Sequence, residues 1–342
     1  MKNHLLISIY LVLACCKPNN TSENTVQSVD QETIVQHTER LAYDDFMGRM
    51  PFTEGEVKTT RYLENEFEKL GLSPGNGDSY FQEVPLVEIT GTPSEKMKIS
   101  GPKGDFDLDY FDDFVALTVK PLEKVGLENS ELVFAGYGIV APEYGWNDYE
   151  GIDMKGKTAV VLVNDPGFET QDSTLFKGNA MTYYGRWTYK YEEAGRQGAA
   201  GIIIIHETAP ASYGWNVVQY SWSGAQLSLE SDVPVADVQG WVAKAAADKL
   251  FKASKIKNKN FHELAMQKDF KPMPMGLTVS MSVTNKIKRD VSKNVVALLK
   301  GSTRKDEYII YSAHWDHLGM GHPADGDPFN TVRADIAWAR GS

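Results

Sequence analysis

The chain has 342 residues, 35 Lys plus Arg against 46 Asp plus Glu, a formal net charge of −11 and 42% hydrophobic residues. Ordinary globular composition at this length excludes disorder, collagen and coiled coil for the whole chain and makes room for about two domains. The acidic balance repels a phosphate backbone, so no nucleic-acid partner is expected. Both cysteines, Cys15 and Cys16, sit near the N-terminus, which leaves the body of the chain no disulfide and no thiolate. A metal site there has to use His, Asp and Glu.

Lys2 and His4 precede the apolar run Leu5–Ala14, the short core of an export signal and too short for a permanent membrane span. Small and apolar residues leading into Cys15-Cys16 and a polar tether resemble a bacterial lipoprotein signal with an acylated cysteine. Cys15 is the better fit, because Ala14 precedes it. The expectation is an exported protein, periplasmic or at the cell surface, held to the membrane through a lipid anchor only. Residues 1–16 are read as the signal and 17–28 as a solvated linker.

The ordered body starts near Val29. Asp30 is placed to cap a helix carrying Ile34, Val35, Thr38 and Leu41, and Thr53-Glu54-Gly55-Glu56 reads as a capping box opening a second. In that second helix Val57, Tyr62, Leu63, Phe67 and Leu70 recur at helical spacing, and Gly71 is the stop. Strands are expected at Val84–Ile89, Lys96–Ile99 and Leu132–Ala135. Thr158–Val163, a helix ending at Glu192–Gly198 and Ala199–Ile205 read as one right-handed crossover. Val233–Val238 followed by an Ala- and Lys-rich helix through Lys252 adds a further strand-helix pair, and Leu277–Thr284 alternates as a half-exposed strand. Asn294–Gly301 and Glu307–Ser312 have the continuous apolar character of buried neighbouring strands.

His314, His317 and His322 crowd the end of the last of these runs. Ligands in open α/β sheets gather beyond the carboxyl ends of strands, and Ala313-His314-Trp315-Asp316-His317-Leu318-Gly319 leaves such an end at a turn. His314 and Asp316 share a face in extended geometry, so one side chain is able to bind a metal while the other orients it. His206 with Glu207 follows another strand end but is not assigned a metal. His37 and His262 are read as surface or packing residues, and the aromatic-rich middle of the chain as core before peptide platform.

Asn294-Val295-Val296-Ala297, the Gly301 turn and Tyr311–Gly319 resemble the opening of the peptidase domain of co-catalytic di-zinc aminopeptidases. Leu41–Arg49, Thr53, Gly55, Tyr62-Leu63, Phe67, Leu70-Gly71-Leu72 and Phe81-Gln82 look like that family's N-terminal segment. Phe134–Ile139, Asp148-Tyr149, Asp153–Lys157 and Ala194–Ile205 resemble the protease-associated domain inserted in some members. Gly136 and Gly138 are read as a turn there, and Gly198 and Gly201 as close helix-strand packing.

The resemblance implies an α/β fold, the start of a zinc-exopeptidase α/β/α sheet domain interrupted by a β-rich protease-associated domain. It divides the chain into 29–120, the N-terminal part of the peptidase domain; 121–285, the inserted domain; 286–330, the first strands of the peptidase core; and 331–342, an unmatched tail. It implies His314 as a zinc ligand, Asp316 as the neighbouring catalytic-site residue that supports it, two zinc ions in the complete site, and peptides or protein N-termini as partners. The family's bridging aspartate, Glu-Glu pair, further aspartate and distant histidine find no match after Asn330, and Asp335 lacks the right neighbours. The expectation is therefore an incomplete and inactive copy of an exported zinc aminopeptidase, with apolar strand faces left exposed. The alternative is a non-catalytic, membrane-tethered peptide-binding protein built on the protease-associated domain. A solute-binding lipoprotein is disfavoured, because its two-lobe pattern is missing.

Overall fold

The computed structural model describes residues 30–257 and 260–320. The expectations for the signal, the linker, Cys15, His322, Asp335 and the tail lie outside the described residues. The described residues divide into two compact units, one drawn from residues 30–59 and 313–320, the other from residues 60–257 and 260–312.

In the first unit, helix α1 (Gln31–Leu41) begins at the expected cap, the Asp30 carboxylate accepting from the Glu32 and Thr33 amides at 3.2 and 3.1 Å. Ile34 and Val35 remain exposed and α1 buries no residue, a narrower role than its spacing predicts. A 3-10 turn, Asp44–Arg49, follows, in which Met47 and Gly48 turn left-handed and Phe46 is buried. Helix α2 (Glu54–Lys69) opens on a displaced capping box. The Glu56 carboxylate accepts from the Phe52 amide at 2.7 Å, while the Thr53 hydroxyl donates to the Met50 carbonyl at 2.6 Å.

The buried side of α2 is also a correction. Gly55, Glu56, Thr59 and Thr60 are buried, and Val57 and Leu70 are exposed. Small residues select the close side: a Cβ on Gly55 would stand 2.3 Å from the Phe46 carbonyl oxygen. The expected stop at Gly71 is present, with φ at +70°.

The second unit is built on one mixed sheet. Its strands in chain order are β1 (Phe81–Pro93), β2 (Lys96–Ser100), β3 (Phe106–Asp109), β4 (Phe114–Leu117), β5 (Lys124–Phe134), β6 (Thr158–Leu162), β7 (Gly201–His206), β8 (Ala225–Ser228), β9 (Val238–Ala243) and β10 (Met273–Val295). The main path across the sheet is β8-β1-β10-β5-β6-β7-β9-β4, with β2 pairing β10 and β3. Strands β5, β6, β7 and β9 run parallel, and the remaining pairs are antiparallel. Strands β1–β4 thus pair into the same sheet as the strands of the predicted inserted domain.

The parallel strands are apolar without interruption because both of their faces are covered. Ile203 and Ile205 of β7 share one core with Val160 and Leu162 of β6. Ile202 and Ile204 share the opposite core with Ala159 and Val161. Helix α3 (Pro166–Thr170) follows β6, and helix α4 (Trp187–Arg196) completes the predicted crossover to β7. Helices α5 (Thr208–Ala211) and α6 (Trp215–Ser221) follow β7, and α7 (Lys244–Ala253) follows β9. Ala246, Ala247, Leu250 and Phe251 of α7 cover the first core, while Tyr191 and Ala194 of α4 join the second. Helix α8 (Phe261–Ala265) packs Phe261 against Phe251 in a stacked pair 4.4 Å apart. Among the described residues no helix is long and apolar enough to cross a membrane.

Two strand expectations are corrected. The strand predicted at Val233 starts at Val238, pairing with Gly201, because Pro234 has no amide to donate to a ladder. Glu307–Ser312 forms no strand at all. Its Ile309, Ile310 and Tyr311 are 85%, 83% and 93% exposed, so the expected exposure of this apolar run is found without the expected ladder. A strand apolar on both faces needs hydrogen-bonded neighbours, and among the described residues none pairs with it.

Gly195, in α4, rests on the chain at 234–235, where an added Cβ would stand 2.2 Å from the Pro234 carbonyl oxygen. Helix propensity alone favours Gly195→Ala by up to ~1 kcal/mol. Backbone overlap opposes it by about 1–3 kcal/mol. The variant is expected to be destabilised, read as a lower urea midpoint; a raised midpoint would show that the contact yields.

Candidate functional site

The His-x-Asp turn lies in the first unit, on residues that carry neither helix nor strand. His314 Nδ1 and Asp316 Oδ1 are 2.9 Å apart. A carboxylate only accepts, so in the neutral ring Nδ1 holds the proton and donates it. Nε2 is then the lone-pair nitrogen, and the His314 side chain is 92% exposed. This is how an imidazole is set for a metal, with its tautomer fixed by an outer carboxylate.

The turn is placed by residues from the start of the chain. Arg49 Nε donates to the Trp315 carbonyl at 2.9 Å, and its Nη1 donates to the Leu41 carbonyl at 2.5 Å. The His317 amide donates back to the Arg49 carbonyl at 3.0 Å, and the Gly319 amide to the Gly48 carbonyl at 3.0 Å. The sequence pattern contains Gly48-Arg49 but assigns neither a role. Its available signal was the glycine, which the left-handed backbone at +64° and the approach of Gly319 both require.

The described residues supply one imidazole and one orienting carboxylate. Among them, no group of three or more His, Cys, Asp and Glu is placed to hold a metal ion. A catalytic zinc takes three protein ligands and an open position. These residues therefore fit one corner of such a site and do not by themselves fit the ion. His317, within the turn, is held to Arg49 through its main-chain amide.

A second polar cluster stands at the carboxyl ends of β6 and β7 in the other unit. His262, on α8, has Nε2 2.8 Å from Glu207 Oε2 and Nδ1 3.6 Å from Glu169 Oε1. Burial pulls the imidazole pKa down, but the Glu207 and Glu169 carboxylates outweigh it and the net shift is upward. Sequence reading left His262 as a surface or packing residue, because its partners come from α3 and the end of β7. His206 is buried, with Nε2 3.0 Å from the Tyr213 carbonyl and its ring beside Trp215 and Trp241.

In the same unit the Lys190 ammonium is wholly buried and donates to the carbonyls of Tyr137, Asn164 and Tyr184 at 2.6, 2.8 and 3.3 Å. Burial drives its pKa down, and the Asp148 and Asp165 carboxylates resist that fall. Asp148 accepts from the Tyr137 and Ile139 amides and the Trp146 indole, anchoring the Gly136–Gly138 turn. Of the aromatic residues of this region Trp146, Tyr189, Tyr191 and Trp222 are buried, Tyr144, Tyr184 and Trp215 are half-buried against the cores, and Tyr183, Trp187 and Tyr220 are exposed.

No family model matches the chain, and no curated protein matches it. Among solved structures it is similar to an aminopeptidase from Aneurinibacillus sp. strain AM-1, at 21% identity over 82% of this chain and 50% of that one, with a TM-score of 0.38. It is also similar to a zinc aminopeptidase from Bacillus subtilis, at 16% identity over 78% of this chain and 46% of that one, with a TM-score of 0.27. The chain spans about half the length of these structures. At such TM-scores a functional reading has to come from the residues.

The His262 pKa is raised on folding, so the pairing stabilises fully below the unfolded value of about 6.5 and is lost as pH rises through the folded value. The expected advantage of wild type over His262→Gln is about 1 kcal/mol or less at pH 5.5, shrinking by pH 9. Unfolding by urea at the two pH values checks it, and an advantage that grows with pH would contradict it.

Proposed function

We propose that the chain belongs to an exported aminopeptidase-type zinc hydrolase acting on peptides or protein N-termini. His314 is its zinc ligand, Asp316 the residue that supports that ligand, and Cys15 the site of lipid attachment at the membrane. The observation that carries the reading is the His314–Asp316 hydrogen bond on an imidazole that is 92% exposed. The sequence pattern around it, from Tyr311 to Gly319, supports the family. Within this chain, Asp316 holds the proton on His314 Nδ1 and so keeps Nε2 available as a ligand.

One imidazole with one supporting carboxylate predicts weak zinc binding for the described residues. The full chain is expected to bind zinc in the micromolar range or weaker, with His314→Ala abolishing binding and Asp316→Ala weakening it about 10–100-fold. Titration against a chelating dye reads this, and zinc binding indifferent to His314→Ala would sink the assignment. A panel of aminoacyl chromogenic substrates separates the two functional readings. Chelator-sensitive turnover lost in His314→Ala assigns the peptidase to this chain, whereas peptide binding without release of an N-terminal residue assigns it the recognition role. Cys15→Ser is expected to move the protein from the membrane pellet to the soluble fraction; persistence in the pellet would count against Cys15.

A further inference from the structure

We propose that Arg49 is the positioning residue of the His314–Asp316 turn. Residues 307–320 have no helix or strand, so no ladder fixes where the pair sits. The hydrogen bonds to residues 48 and 49 bracket it: the Arg49 guanidinium takes the carbonyl of Trp315, which lies between the two functional residues, and the main chain of Gly48 and Arg49 takes the amides of His317 and Gly319. Arg49 and Trp315 are 266 residues apart in sequence, so the contact closes a long loop on one point.

The backbone on the Arg49 side is strained. Met47, Arg49 and Phe52 have φ at +49°, +50° and +67°, a region that non-glycine residues keep only where the surroundings over-determine it. At Arg49 those surroundings include the turn, which accepts from its guanidinium and donates to its carbonyl, while the Phe52 amide is held by Glu56. The Gly48 position is pressed against the turn so closely that a Cβ would stand 2.2 Å from the Gly319 carbonyl oxygen. The guanidinium adds what a main chain lacks, two donors in a fixed fork that tie the Trp315 carbonyl to the Leu41 carbonyl at the end of α1. The turn is thus pinned to α1, and the direction of His314 is set by a residue that touches neither imidazole nor carboxylate.

This inference deepens the hydrolase reading, since the turn it fixes is the one carrying the proposed ligand, but its test needs no metal. In the full chain, Arg49→Ala is expected to speed amide exchange at His317 and Gly319 at least tenfold while Ile203 in β7 exchanges at the wild-type rate. The ring nitrogen shifts of His314 at fixed pH are expected to move from one tautomer toward a mixture, a signature that a purely structural role for Arg49 would leave unchanged. Arg49→Lys retains one carbonyl contact and is expected to restore part of the protection; if Arg49→Ala does not fold, Arg49→Lys and Arg49→Gln are measured in its place. Unchanged exchange at His317 and Gly319, an unchanged tautomer, or acceleration that spreads to Ile203 would overturn the proposal. His314→Ala is expected to leave exchange at His317 and Gly319 as in wild type. Absence of zinc binding in the wild type would remove the hydrolase reading and leave the Arg49 result standing, so the two fail separately.

Discussion

Burial of one strand on both faces is the constraint from which the larger unit follows. β7 presents Ile203 and Ile205 to one core and Ile202 and Ile204 to the other, each essentially free of solvent. A strand in that position needs hydrogen-bonded neighbours on both sides and cover on both faces, and here its neighbours run parallel and its cover is helical. β6 and β9 supply the first, α4 and α7 the second. Each fully buried aliphatic side chain contributes about 1.5–3 kcal/mol relative to exposure, so this layer outweighs any surface ion pair in the molecule.

The polar interior is arranged around the same layer. Lys190 projects from the helix that covers it and satisfies three carbonyls of the loops beyond β5 and β6, so a charge normally kept in water acts as a fastening between loops. Asp148 does the same with donors, collecting two amides and an indole. His262 sits between carboxylates brought from two other segments. The loops at the carboxyl end of the parallel strands are thereby tied together by polar contacts.

The elements legible in the sequence are those whose pattern matches their surroundings. Thr158–Val163 and Ala199–Ile205 read as buried strands and are; Leu277–Thr284 alternates and lies half-exposed in β10. The same strand runs on to Val295, where Lys286, Lys288, Arg289 and Asp290 face solvent and leave no alternation to read. Glu307–Ser312 shows the converse: an apolar run states a preference, and only partners turn preference into a ladder. The site was half legible. His314 and Asp316 are two residues apart and share a local pattern, but Arg49 reaches the turn through main-chain carbonyls, which no side-chain motif records.

The pairing of β1 with β10 fixes where the chain enters and leaves the larger sheet. Thirteen consecutive registered pairs run from Pro93 with Val283 to Phe81 with Val295. The chain thus leaves the larger sheet beside the place where it first joined it, and residues 81–295 form a cassette whose two ends are neighbours on adjacent strands. The segments before Phe81 and after Val295 therefore start from points separated by only the spacing between two paired strands, about 5 Å, the same gap that an ordinary hairpin turn spans.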